Sequence, residues 1–226
     1  MLVLSWNLFH GRSEPGAGRD LLDEFAAMLA GWRWDFALLQ EVPPWWPEPL
    51  AAACGAEAHA ALTSRNLVLP ARRALARRVP DLIKSNGGGA NAILARAPLG
   101  AERAVRLRTW PERRVAQLAQ LEDGTVLANY HGSARVPLAE EELARLGKLV
   151  LGQATVTGGG AAVLGGDLNL RHPHVPGMEH VAARDVDHIF AAGFARSSSH
   201  VKERGALIDG REVELSDHPP LLAELG

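Results

Sequence analysis

The stretch Ala161-Ala162-Val163-Leu164-Gly165-Gly166-Asp167-Leu168-Asn169 decides how this chain is read. Ala161 to Leu164 is a short apolar run with no polar alternation, the pattern of a strand covered on both faces. It runs into paired glycines and then an acid and an amide two positions apart, on the same side of an extended segment. The same grammar recurs along the chain. Leu2 to Leu8 reads as a buried strand broken by Asn7, His10, Gly11 and Arg12. Phe36 to Leu39 ends in Gln40-Glu41 and the proline-broken Val42-Pro43-Pro44-Trp45-Trp46-Pro47. Val126 to Tyr130 precedes His131, Val186 to Phe190 carries Asp187 and His188, and Leu221-Leu222 follows Ser216-Asp217-His218.

Other strands are expected at Ala58 to Leu62, Ala92 to Ala95, Val105 to Leu107, Val115 to Leu121 and Ala195 to Ser199, with Glu122-Asp123-Gly124 as a hairpin turn. Helical spacing predicts a helix from Asp20 to Gly31, with Leu21, Leu22, Phe25, Met28 and Leu29 on one face, and a short one at Leu50 to Ala53. The clearest helix is Leu138 to Val150, with Leu143, Leu146, Leu149 and Val150 on one side and a Glu140-Glu141-Glu142 face near its start. No repeat or linker interrupts the chain, so one domain over residues 1–226 is expected. Strands outnumber helices and several are joined by hairpins, which suits a two-sheet α/β sandwich better than a doubly wound parallel sheet.

A chain of 226 residues can bury a large core without disulfides or structural metal. At 47% apolar, 22% charged and net charge −2, it is neither disordered nor globally basic. Its single cysteine, Cys54, excludes an intramolecular disulfide framework and a Cys-only zinc site. No apolar stretch approaches the roughly 20 residues of a membrane helix, so no membrane insertion is expected. Met1 leads directly into a strand-like run without a basic leader, which makes the cytoplasm the expected compartment. The charge is unevenly spread. Between Ala71 and Arg114 lie eleven basic residues and three acidic ones, a net +8 in a chain whose remainder is −10. Such a segment either favours a phosphate-bearing ligand or is a solvated Arg-rich surface.

Polar residues at strand ends converge on one rim of a sandwich, where sites are assembled from distant sequence. Glu41 and Asn7 are hard oxygen donors suited to Mg²⁺. Asp167 with Asn169 pairs a potential base with a neutral hydrogen-bond donor. His131 and His218 can donate to anionic oxygens, and Asp187 can fix the tautomer of a partnered imidazole. Together these are the parts for metal-assisted attack of water on a phosphoester.

Ser5-Trp6-Asn7-Leu8, Leu39-Gln40-Glu41-Val42, Asn129-Tyr130-His131, Gly165-Gly166-Asp167-Leu168-Asn169, Val186-Asp187-His188-Ile189 and Ser216-Asp217-His218 resemble, in order, the motif set of the endonuclease/exonuclease/phosphatase (DNase I-like) superfamily. The resemblance spans residues 5 to 218 and implies a four-layer α/β sandwich of two mixed β-sheets flanked by helices. It implies Glu41 as the principal Mg²⁺ ligand, with Asn7 beside it, Asp217 assisting and Mn²⁺ as a substitute. Asp167 would orient or deprotonate the attacking water. Asn169 would hold the phosphate together with Asn7, and His218, oriented by Asp187, would stabilise the phosphoryl oxygen, with His131 opposite. The implied partner is a phosphoester substrate, either a nucleic acid or a small mono- or diester. A sphingomyelinase-like activity and a non-catalytic phosphate-binding scaffold are the alternatives, and no protein partner is implied. A serine hydrolase built on His218 and Asp187 is excluded by the lack of a nucleophile elbow.

The chain departs from the family pattern where Tyr130 and Gly132 flank His131 and where His188 follows Asp187. Tyr130 is the only tyrosine, so the mid-chain tyrosine of many family nucleases has no counterpart. His188 reads as a packing residue, and His172, His174 and His180 as a loop beside the site rather than a metal cluster. Trp45 and Trp46 either stack a substrate ring or cover a sheet end. Asn86 to Asn91 reads as a flexible turn near the mouth. Of Arg113 and Arg114, neighbours in a strand, only one can face the substrate.

Overall fold

The computed structural model describes residues 1–63, 66–82 and 89–226. In chain order the elements are β1 (Leu2–Asn7), β2 (Ser13–Glu14), α1 (Leu22–Gly31), β3 (Phe36–Val42), α2 (Pro47–Cys54), β4 (Glu57–Leu62), α3 (Leu69–Arg78), β5 (Ala90–Ala95), β6 (Leu99–Arg108), β7 (Arg114–Leu121) and β8 (Val126–Asn129). There follow α4 (Val136–Val156), β9 (Ala162–Asp167), β10 (Glu179–Arg184), β11 (Asp187–Ala192), β12 (Ser197–Val201), β13 (Gly205–Ile208), β14 (Arg211–Leu215) and β15 (Leu221–Leu225), with 3-10 turns at Phe9–Gly11 and Pro80–Leu82.

Two six-stranded mixed sheets, ordered β12-β15-β1-β3-β5-β4 and β10-β11-β9-β8-β7-β6, form the middle of the molecule, and β13-β14-β2 make a small third sheet. Three apolar layers define the packing. Leu4, Trp6, Leu8 and Leu39 point outward from the first sheet onto Phe25, Leu29 and Leu50 of α1 and α2. Their strand neighbours Val3 and Leu38 point the other way, into a layer shared with Leu127, Val163 and Ile189 of the second sheet. The far face of that sheet, with Leu118, Ala128 and Leu164, packs on Leu143, Leu146 and Val150 of α4. Successive side chains of a strand face opposite ways, so a strand covered on both faces is largely apolar, and buried polar residues such as Gln40 and Asn91 are hydrogen-bonded. Each such Leu or Phe contributes about 1.5–3 kcal/mol on burial. The helix–sheet–sheet–helix order is the four-layer α/β sandwich expected from the motifs.

Local chemistry sets several boundaries. Asp20 Oδ1 accepts the Leu22 N–H at 2.9 Å, satisfying one free donor at the start of α1. α2 begins on Pro47 and ends on Gly55 in the left-handed region (φ 62°).

The differences from the sequence reading are physical. α3 buries no residue, so it leaves no apolar periodicity to find. Residues 179–184 form a strand rather than continuing the histidine loop, paired antiparallel to β11. Asn91 lies inside β5, its amide donating to Val115 O at 2.9 Å, whereas Lys84 and the 86–88 part of the glycine-rich turn lie outside the described residues. The basic segment does not form one patch. Arg96 folds over Trp34 at the opposite rim, and Arg108 is paired with Glu141 and Glu142.

Candidate active site

Strand direction gathers the strand-end residues. β1 runs parallel to β3, and β8 parallel to β9, so Asn7, Glu41, His131 and Asp167 come to the same rim. β11 and β15 run antiparallel to their neighbours and therefore start there, delivering Asp187 and, just before β15, Asp217 and His218. Register completes the arrangement by placing Asp187 directly opposite Asp167.

Asp187 Oδ2 lies 2.7 Å from His218 Nδ1, and His218 Nε2 lies 3.8 Å from Asp167 Oδ2. On the other flank His131 Nε2 is 3.5 Å from the same Asp167 oxygen, and His131 Nδ1 is 3.8 Å from Glu41 Oε1. Asn7 Nδ2 donates to Asp167 Oδ2 at 2.9 Å, while Asn7 Oδ1 accepts the Phe9 N–H at 2.9 Å. Asn169 donates its N–H to Asp167 Oδ1 at 3.0 Å and its side-chain amide to Gly132 O at 3.0 Å. The backbone of His218 is pinned by Trp6, whose indole N–H reaches its carbonyl at 2.9 Å, and by the Ser216 hydroxyl, which accepts its N–H at 3.0 Å.

Strain accumulates at this rim. Phe9, His10, Glu41, Asn169 and Ser216 all adopt positive φ, which non-glycine residues sustain only where the surroundings over-determine them. Gly166 (φ +148°) admits no side chain, because a Cβ there would lie 1.8 Å from Tyr130 O.

Burial and charge set the protonation states. Burial works to lower the His218 pKa, but the hydrogen bond and charge of Asp187, with Asp167 and Asp217, raise it to about 9. Burial pushes Asp187 up to about 6, against the pull of His218. Between these values the pair is a carboxylate and an imidazolium. Burial also raises Asp167. His131 is held well below 6.5 by burial and then by Arg114, so it stays neutral. Glu41 is pushed up to about 7 by burial and by the charge of Asp167.

Crowding of Glu41 against Asp167 and Asp217 leaves excess negative charge among hard oxygen donors, and the Asn7 amide oxygen has a second lone pair beyond the Phe9 bond. That donor set fits a hard divalent cation. Ligating atoms of Asp167, Asp187 and His218 also lie within 4.8 Å of one another, though His218 Nδ1 is already held by Asp187. Glu41, Asp217 and His218 open onto a cleft of about 560 Å³ that also contains Arg12 and Phe9.

Of the other residues singled out in the sequence, Arg114 is buried and its charge acts on Glu41, Asp167 and His131, whereas Arg113 is exposed. Trp46 is buried against Phe25, and its ring leaves no room for a side chain at Gly11 (φ +78°). Trp45 is half-buried beside the same core. His188 is a packing residue, with Nε2 2.6 Å from Leu170 O and Nδ1 2.9 Å from His180 Nε2.

Two residues at or behind this rim escaped the sequence reading. His10, held near pKa 4 by burial and then by Arg12 and Arg72, places Nε2 3.0 Å from Glu41 Oε2. Its place in the polar cluster after β1 was the available signal. Glu142 is buried, accepting Tyr130 OH, both Ser133 donors and Arg108 Nε. Its spacing four residues before Leu146 put it on the apolar stripe of α4, although its charge suggested solvent.

Among the described residues no helix is long and apolar enough to cross a membrane. No curated protein matches the chain. Among the solved structures that share its fold are the three that follow. An endonuclease/exonuclease/phosphatase from Beutenbergia cavernae DSM 12333 superposes with a TM-score of 0.69 at 19% identity, covering 100% of this chain and 71% of the other. D. rerio TDP2 complexed with single strand DNA product gives 0.68 at 16%, covering 100% and 98%. A Bacteroides thetaiotaomicron VPI-5482 mannosyl-6-phosphatase gives 0.63 at 16%, covering 100% and 99%. The profile of the Endonuclease/Exonuclease/phosphatase family matches residues 4–218. The chain belongs to that family, whose members are phosphoric ester hydrolases.

Proposed function

We propose that the chain is a Mg²⁺-dependent phosphoesterase, with Mn²⁺ as a substitute, that hydrolyses a phosphodiester or phosphomonoester by in-line attack of water, acting in the cytoplasm as one domain over residues 1–226. The observation that carries this reading is the Asp187–His218 pair directed at Asp167, with His131 and Glu41 closing the same rim.

Asp167, its basicity increased by burial, takes the proton of the attacking water, and Asn7 and the Asn169 N–H hold its two oxygens in place. His218, kept as imidazolium by Asp187, donates to a non-bridging phosphoryl oxygen as charge develops there. His131, neutral at ordinary pH, donates to a second oxygen, and Asn169 steadies the phosphate from the Gly132 side. Arg114 contributes positive potential from behind the site. A cation held by Glu41, Asn7 and Asp217 would polarise the phosphoryl group and offset charge on the leaving oxygen.

Among proteins of the same fold, one is solved with a single-strand DNA product and another is a phosphatase, so both ester classes remain substrates for testing. The test is a substrate panel in Mg²⁺, Mn²⁺ and chelator beside His218→Ala, comprising plasmid, abasic duplex, single strand, bis-p-nitrophenyl phosphate, inositol phosphates, mannose 6-phosphate and sphingomyelin. Turnover of at least one ester is expected, lost with chelator and with the variant. Retention within a few-fold in His218→Ala would overturn the assignment.

A further inference from the structure

Beside the catalytic rim lies a second cleft, of about 540 Å³, between the loop that follows Glu41 and α3. Pro44 and Trp45 form one wall, and Leu69, Pro70, Arg73 and Arg77 the other. Trp45 rests in part on the core outside the first sheet, whereas packing does not explain the α3 wall. α3 buries no residue and carries Arg72, Arg73, Arg77 and Arg78 without an acid. Arg73 and Arg77 stand four apart on one face, where like charges destabilise an isolated helix by a few tenths of a kcal/mol. The half-buried ring of Trp45 is not held by a hydrogen bond, since its indole N–H has no partner among the described residues. The indoles of Trp6 and Trp34, by contrast, are both bonded to carbonyls. The cleft adjoins the site, because Trp45 lies four residues beyond Glu41 and the charge of Arg72 reaches His10, which contacts Glu41.

An aromatic wall facing two cations complements a base attached to phosphates. Stacking requires a base free of its duplex, and a strand leaving the rim can lay its phosphates along α3. Resting on the phosphoesterase reading above, we propose that this cleft is a subsite for a nucleotide of a single-stranded polynucleotide, its base on Trp45 and Leu69 and its phosphates on Arg73 and Arg77.

The experiment measures binding of a fluorescein-labelled single-stranded hexanucleotide, and of the matching duplex, to the full chain in chelator, across a salt series. Arg73→Ala/Arg77→Ala removes two phosphate contacts, so the slope of log affinity against log salt should flatten by about 1.4. Trp45→Ala should weaken single-strand binding at least about fivefold with the slope unchanged, and Trp45→Phe should restore part of it. The α3 double variant leaves the core intact and keeps the test valid should Trp45→Ala misfold. An unchanged slope in the double variant, affinity within twofold in both variants, or tighter binding of duplex than of single strand would each overturn the subsite. Hydrolysis of bis-p-nitrophenyl phosphate by the parent in Mg²⁺ reports separately on the chemistry. Its absence would refute the phosphodiester form of the reading above, on which a polynucleotide subsite rests, whereas its presence with unaltered oligonucleotide binding refutes only the subsite.

Discussion

Glu142→Gln is the substitution whose cost can be worked most directly from the structure. The carboxylate is buried behind the loop that carries His131, and each oxygen accepts two bonds. Oε2 takes Tyr130 OH at 2.5 Å and the Ser133 N–H at 3.1 Å. Oε1 takes the Ser133 hydroxyl at 2.8 Å and Arg108 Nε at 2.5 Å. Glutamine can keep its carbonyl toward Tyr130 and the Ser133 N–H, and its NH₂ can donate to the Ser133 hydroxyl, which then accepts. Arg108 Nε–H cannot adapt, because it would meet another donor. A hydrogen bond to a charged group contributes about 1.5–3 kcal/mol, and the remaining bonds weaken once the acceptor is neutral. The expected loss is about 2–3 kcal/mol, read as a lower urea midpoint with an unchanged m-value. In Tm this is about 4–12 °C for a chain of 226 residues. Arg108→Met in the Glu142→Gln background should cost less than in the parent, by at least about 1 kcal/mol. A loss below about 0.5 kcal/mol, or strict additivity of the two changes, would refute the idea that this network anchors the His131 loop.

Further outcomes are expected. His218→Ala and Asp167→Ala should each reduce kcat on a small diester by at least about 10²-fold while far-ultraviolet circular dichroism is preserved, and a loss under tenfold would remove their assigned roles. Glu41→Gln should raise the Mg²⁺ concentration needed for half-maximal turnover at least about tenfold, and an identical titration would take Glu41 out of the metal site. His188 falls from 6.5 to about 4 through burial, so it folds as the neutral imidazole. Its stabilisation is complete above pH 6.5 and is lost as pH falls toward 4, by up to about 2 kcal/mol after allowance for solvent, and His188→Gln should flatten that part of the pH–stability curve in urea titrations. Gly166→Ala should cost at least about 3 kcal/mol or prevent soluble expression, since its Cβ meets Tyr130 O at 1.8 Å, and a Tm within 2 °C of the parent would contradict the backbone path.

What could be read in advance divides along a physical line. Asn7, Glu41 and Asp167 were legible as candidates because each closes an apolar run, where a strand buried on both faces most readily accepts a polar side chain, and His218 because it stands just before the last such run. The layer each strand faces was not legible, since Val3 and Leu4 are equally apolar yet point into different cores. α3 and the small β13-β14-β2 sheet left little apolar signal, because they are largely solvated and lack a continuous buried face. His180 could not be matched to His188, because their contact depends on a β10–β11 register that shifts between His180 and Ala182. Glu142 marks the limit of the hydrophobic pattern itself. A charge on a buried stripe breaks the rule locally and is sustained only by Tyr130, Ser133 and Arg108, brought in from elsewhere in the chain. The strained backbone of Phe9, His10, Glu41, Asn169 and Ser216 follows the same logic. Such residues persist only where their surroundings over-determine them, so those gathered at this rim mark the candidate site in three dimensions while remaining silent in one.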